Sequence, residues 1–188
     1  HLYKDAPEEL QGGWRSVSAL APGVLGITGI ETAEIIKGVV EKIKPELIIV
    51  VDSLAAGSVE RIATTIQIAD TGISPGSGIG NKRSGINQET MGVPVIAVGI
   101  PTVVNAAVIA QDTVEHFLEK IQNTPILNQI YKNLRPDFIH QVINDVLQPF
   151  AGNLTVTPKE IDALINNLSK VVAGGISMAL HPAIDLEE

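Results

Sequence analysis

LIIVVDSLAAG, Leu47 to Gly57, is the stretch on which the reading of this chain turns. Leu47 to Val51 is an unbroken aliphatic run, and a carboxylate follows it at once. Such a run suits a central parallel strand buried on both faces. The strand is expected to end at Asp52, with Ser53 to Arg61 turning as a short helix. Ligand sites in open α/β sheets form beyond the carboxyl ends of strands. Asp52 is therefore the first candidate for chemistry. The same side chain can instead cap the turn that follows it, and this stretch alone leaves both readings open.

Outward from here, buried strands alternate with amphipathic helices. Ser16 to Ala21 reads as a short strand stopped by Pro22-Gly23. Thr28-Gly-Ile-Glu31 fits a capping box, and Ala33, Ile36, Val39, Val40 and Ile43 continue at helical spacing up to Lys44-Pro45. Thr64 to Ala69 and Val93 to Ile100 read as further strands. Asn105 to Ile121 and Asp137 to Leu147 read as helices. Thr157-Pro-Lys-Glu160 combines a second capping box with proline at the first helical position; its helix carries Ile161, Leu164, Ile165, Leu168, Val171 and Val172. The class is α/β, with a mostly parallel sheet flanked by helices and a helical segment from about residue 123. The expectation is one domain over residues 1–188, incomplete at its start, because His1 looks like a cut end.

Composition narrows the function. The chain has 188 residues, 45% hydrophobic and 18% charged, so it is globular. Lys plus Arg number 13 against 21 Asp plus Glu, a net charge of −8. That surface repels polyphosphate, and no nucleic-acid partner is expected. Cysteine is absent, which removes disulfides and thiolate metal sites and is compatible with a cytoplasmic setting. His1, His116, His140 and His181 have no metal-ligand spacing, so neither metal nor other cofactor is expected. Gly92 to Gln111 is uncharged and long enough to span a membrane, but its prolines, glycine and amides fit a strand, a turn and a core helix better.

The glycine-rich stretch from Ile68 to Gly85, IADTGISPGSGIGNKRSG, resembles a phosphate cradle only in composition. A P-loop needs Gly and Lys adjacent; Asn81 separates Gly80 from Lys82. Gly76, Gly78 and Gly80 are spaced G-x-G-x-G, which is not the dinucleotide fingerprint. The stretch reads either as a solvated surface loop or as a loop lying against an extended ligand, where glycine lets backbone groups approach closely. Lys82 and Arg83 place positive charge there and can attract a carboxylate. Asp70 reads first as an Asx-turn, and Glu31 as half of a capping box; both remain candidates for lining a site. Ser53 and Ser58 have no evident His partner, which argues against a serine nucleophile.

Three long stretches resemble one family: SALAPGVLGITGIET (Ser18 to Thr32), VDSLAAGSVERIATTIQIADTGISPGSGIGNKR (Val51 to Arg83) and GVPVIAVGIPTVVNA (Gly92 to Ala106). TPKEIDALI from Thr157 agrees. They are similar to the bacterial spore germination endopeptidase, which degrades small acid-soluble spore proteins. The resemblance implies a fold akin to hydrogenase-maturation proteases and the phosphorylase/hydrolase architecture, with maturation by limited proteolysis, tetrameric assembly and action in the spore core. It implies an atypical aspartic-type peptidase with two carboxylates. One falls on Asp52, and the other lies upstream of His1, so this segment alone is expected to be nearly inactive. It implies cleavage near Glu, for which Lys82 and Arg83 are candidates, with Gly76, Gly78 and Gly80 against the substrate backbone. Ser74 stands where some relatives carry His. The alternatives are a phosphorylase-like small-molecule enzyme, a metal-assisted maturation protease and a non-catalytic assembly core.

Overall fold

The computed structural model describes residues 15–76, 83–121 and 136–182. Contacts divide the chain into two units, one of residues 24–159 and one joining the two chain ends.

The larger unit contains the sheet. Helices α1 (Leu25–Thr28) and α2 (Thr32–Ile43) lead into strand β1 (Ile48–Ala56). A 3₁₀ turn over Val59–Arg61 precedes β2 (Gln67–Ala69), and helix α3 (Gln88–Met91) precedes β3 (Val95–Asn105). Helices α4 (Ala106–Ile121) and α5 (Pro136–Leu147) follow, then β4 (Thr155–Val156). The fold is α/β, as the alternation of runs predicts, and its sheet is mixed. β1 pairs parallel to β3 along its whole length, whereas β2 and β4 are antiparallel to β3 at its two ends.

The central strand is β3, not β1. Val95, Ala97, Val98 and Val104 are buried along it, whereas Val51 on β1 is 52% exposed. β1 has only β3 beside it among the described strands, so its apolar run is covered on fewer sides than a central strand's. Ala33 of α2 joins Val50, Ile86, Met91, Val95 and Ala97 in one core cluster. A second packing zone lies between α4 and α5, where Leu118, Ile143 and Leu147 are buried.

Several local expectations are overturned, each for an identifiable reason. β1 does not stop at Asp52 but runs to Ala56, and the helical turn is confined to Val59–Arg61. Asp52 pairs with Gly99 inside the ladder, which removes its helix-capping role. The capping box at Thr28 is absent. Thr28 ends α1, its hydroxyl donates to the carbonyls of Val24 and Ile30, and Glu31 is the N-cap residue of α2 with no side-chain cap bond. Lys44 does end α2, in the left-handed conformation at φ 48°. β3 continues through Pro101, past the expected end at Ile100.

In the smaller unit, the expected strand Ser16–Ala21 is not formed: the whole segment has no regular structure. Helix α6 (Ile161–Leu180) starts after Pro158 and Glu160, so proline is not at its first position. Thr157 itself belongs to the larger unit, where its hydroxyl, expected to cap α6, donates to the Thr102 carbonyl (2.9 Å). The backbone N–H of Arg15 donates to His181 Nδ1 (3.2 Å). Among the described helices, α6 is long and apolar enough to cross a membrane, with mean hydropathy 1.3. Its less exposed residues Ile161, Leu164, Leu168 and Val172 recur every three to four positions, the spacing of one helical face. Gly92–Gln111 is a strand followed by the start of α4, not a spanning helix.

Ile86 is 1% exposed at the centre of the main cluster. Ile86→Ala is expected to destabilise the fold by about 2–5 kcal/mol, read as a lowered urea midpoint with an unchanged slope. A loss below about 0.5 kcal/mol, the scale of surface substitutions, would contradict this packing.

Candidate functional site

β1 and β3 stay paired beyond Asp52 because β3 accommodates a proline. Register runs Asp52 with Gly99, Ser53 with Ile100 and Leu54 with Pro101, then jumps to Ala55 with Val103. Thr102 is thus the extra residue of a bulge. Pro101 has no N–H to give to a ladder, and bulges are where strands tolerate proline. The carbonyls at the bulge are bonded from outside the β1–β3 pair. Pro101 accepts from Ala63 N–H (2.7 Å), and Thr102 accepts from the Thr157 hydroxyl. Ala63 takes φ 54°, a left-handed conformation costing a non-glycine residue roughly 1–2 kcal/mol. Asn105 closes the strand. Its Oδ1 accepts from Ala107 N–H at the start of α4 (2.8 Å), and its Nδ2 donates to the Gly152 carbonyl (3.2 Å).

Beside this ladder lies a cleft of about 590 Å³. Its walls come from β1, β2, β3, Thr155 of β4 and the segment Gly72 to Gly76. Asp52 lines it and is the only ionisable residue among the described lining residues. Asp52 is half-buried, and its Oδ1 accepts the N–H of Ser53 (2.9 Å). Much of the lining is small: Ala55, Ala69, Gly72, Gly76, Ala97 and Gly99. A Cβ on Gly99 would run into the Leu54 side chain, so glycine opposite Asp52 is needed for Leu54 to pack.

The glycine-rich segment is pinned at its base. Ile73 and Ile86 exchange two backbone hydrogen bonds (3.0 and 2.7 Å). Asn87 and Thr90 form a reciprocal capping box at α3, and the Thr90 hydroxyl also donates to the Gly85 carbonyl (2.8 Å). Gly72 sits at φ 77°, and a Cβ there would strike the Ile86 carbonyl. The Asn-x-x-Thr spacing of this box was available in the sequence as a capping signal; the Ile73–Ile86 bridge, a long-range pairing, was not.

Of the residues singled out from sequence, the structure brings Asp52, Ser74 and Gly76 to one cleft. Asp70 is exposed just past β2, Glu31 heads α2, and Arg83 is half-buried; none of these three lines the cleft. Lys82, Gly78 and Gly80 lie outside the described residues. Gln67, Thr102, Val103 and Thr155 line it and were not anticipated. Gln67 carried no signal, and the others follow from the bulge and from β4. No cluster of three or more His, Asp or Glu suited to a metal is present among the described residues.

A family model described as germination protease matches residues 1–137 and 122–188. This chain belongs to the germination protease family. It is 50% identical over 192 residues to the germination protease of Caldanaerobacter subterraneus subsp. tengcongensis and 50% identical to that of Clostridium acetobutylicum; each match covers 100% of this chain and 59% of the relative. The germination protease of Bacillus subtilis is 46% identical over 221 residues, covering 100% of this chain and 60% of the relative. The chain thus spans about three fifths of the length of these germination proteases.

Gly72 offers a stability test independent of catalysis. Gly72→Ala is expected to cost about 1–3 kcal/mol from its backbone conformation alone, with a further loss from the Ile86 carbonyl. Thermal unfolding of the variant measures it, and an unchanged melting temperature would mean that the loop base is not closed as described.

Proposed function

We propose that this chain is the part of a germination endopeptidase that holds one carboxylate of an aspartic-type pair, Asp52, together with the cleft that receives the substrate polypeptide. The observation that carries this reading is Asp52 standing as the sole ionisable group among the described lining of a cleft otherwise built of small and neutral residues. Family membership supports the reaction class.

Peptide hydrolysis needs a base to take a proton from water and an acid to supply one to the carbonyl oxygen or the departing amine. Two neighbouring carboxyls divide these roles, because repulsion between like charges keeps one of them protonated. Asp52 fills one role, and a second carboxyl of the complete enzyme fills the other. The small lining residues let an extended main chain approach the carboxylate. Ser74 and Gly76 lie in the lining and contact that chain. Lys82 and Arg83 supply positive charge that draws in an acidic side chain of the substrate. The substrates on this reading are the small acid-soluble spore proteins of the spore core. The complete enzyme assembles as a tetramer from a precursor matured by limited proteolysis.

Asp52→Asn in the complete protein is expected to lower kcat for a spore-protein substrate by about 10²–10⁴-fold, the usual worth of one acid–base group, with folding unchanged by circular dichroism. Normal turnover would refute the assignment. Reversing the charge at Lys82 and Arg83 together is expected to raise KM for a Glu-containing peptide while sparing one with Gln in that place. Equal effects on both peptides would remove these two residues from substrate recognition.

A further inference from the structure

Thr102, the extra residue of the β3 bulge, lines the same cleft as Asp52. It is 7% exposed, the only polar residue buried among the described residues. Its backbone carbonyl accepts the Thr157 hydroxyl. Its own hydroxyl has no hydrogen-bond partner among the described residues. Yet no side-chain oxygen or nitrogen among these residues is both fully enclosed and unpartnered. The Thr102 hydroxyl therefore still meets open space, and the cleft is the open space that Thr102 borders.

A hydroxyl so placed costs stability unless something pairs with it. Packing does not require it. Val103 and Val104 follow on the same strand, and valine has the β-branched shape of threonine without the oxygen. Ser53, Gln67, Ser74 and Thr155 also bring polar side chains to the lining, but all four residues are exposed, where water serves them. At Thr102 the polar group is largely withdrawn from water and is left unpaired by the wall around it.

The register sets its distance from the carboxylate. Asp52 stands opposite Gly99, and Thr102 lies between the positions opposite Leu54 and Ala55. That is ~7–10 Å along the sheet at the rise of a strand. Such a separation is too long for a hydrogen bond to Asp52. It matches a peptide group two or three residues along an extended chain held at Asp52. A threonine hydroxyl donates, accepts and carries no charge, which suits the N–H and C=O groups of a main chain. A bound water or another segment of the longer protein could also meet the hydroxyl. A permanent occupant, however, would fill the cleft through which a polypeptide has to reach Asp52.

We propose that the Thr102 hydroxyl is a substrate-binding group. It hydrogen-bonds to a main-chain peptide group of the bound polypeptide, two or three residues from the bond hydrolysed at Asp52. The proposal rests on the endopeptidase reading above, and the two fail separately.

The complete protein carrying Asp52→Asn is titrated with a fluorescent substrate peptide, with and without a second substitution at Thr102. Thr102→Val is expected to weaken binding about two- to tenfold, the worth of one neutral hydrogen bond. The melting temperature of the ligand-free protein is expected to stay level or rise. Thr102→Ser keeps the oxygen and is expected to bind as well as the parent. Unaltered binding by Thr102→Val overturns the proposal; a lowered melting temperature alongside it assigns the hydroxyl to a bound water or another segment of the protein. Equal weakening by both variants also overturns it, because the methyl group and not the oxygen then matters. Cleavage by Asp52→Asn at the normal rate refutes the catalytic assignment alone, and the KM values of the Thr102 variants then carry the same comparison.

Discussion

Parallel pairing of β1 with β3 through Asp52 and Gly99 is the constraint on which the site depends. It holds the backbone of Asp52 in a ladder instead of a flexible strand-end loop. Three features make that pairing possible. Gly99 leaves room for Leu54, Thr102 absorbs the register shift at Pro101, and bonds from Ala63 and Thr157 occupy the carbonyls of the bulge. Without the bulge, proline would interrupt the central strand just where the cleft needs a wall. The same irregularity brings Thr102 and Val103 into the lining, in keeping with the concentration of bulges beside functional sites.

A second constraint acts on the glycine-rich segment. Gly72 and Gly76 line the cleft, yet Gly72 is glycine for a reason unrelated to any ligand. Its positive φ and the approach of the Ile86 carbonyl exclude a side chain. The paired bonds between Ile73 and Ile86 and the Asn87–Thr90 box then fix where the segment leaves the cleft and returns. On the proposed reading, small residues at such a wall also leave space for a peptide main chain.

The elements that the sequence made legible were those driven by long apolar patterns. The run Leu47–Val51 and the strand before Pro101 have structural counterparts that continue four to five residues past their expected ends, the helices at Asn105 and Asp137 lie close to their expected limits, and the last helix begins at Ile161, after the expected Pro158. The elements it concealed depend on partners distant in the chain. Ser53 to Ala56 reads as the start of a short helical turn because it follows the carboxylate that ends the apolar run, but pairing with β3 keeps it extended. β4 has two residues and exists through β3. Thr157 matches a helix cap by local spacing, and a carbonyl 55 residues away takes its hydroxyl instead. At the site, Asp52 was legible because a carboxylate directly after an apolar run is conspicuous. Gln67 and Thr155 were not, since only the sheet brings them near it.

Amide hydrogen exchange on residues 48–56, read residue by residue, tests the continuous strand most directly. Amides bonded in a ladder exchange far more slowly than those of turns and loops. If β1 runs through Asp52 as described, slow exchange at alternate amides extends from the Ile48 end of the strand to Ala56. Fast exchange throughout Ser53–Ala56, at the rate of the neighbouring loop, would show that the strand ends at the carboxylate and that this description of the site is wrong.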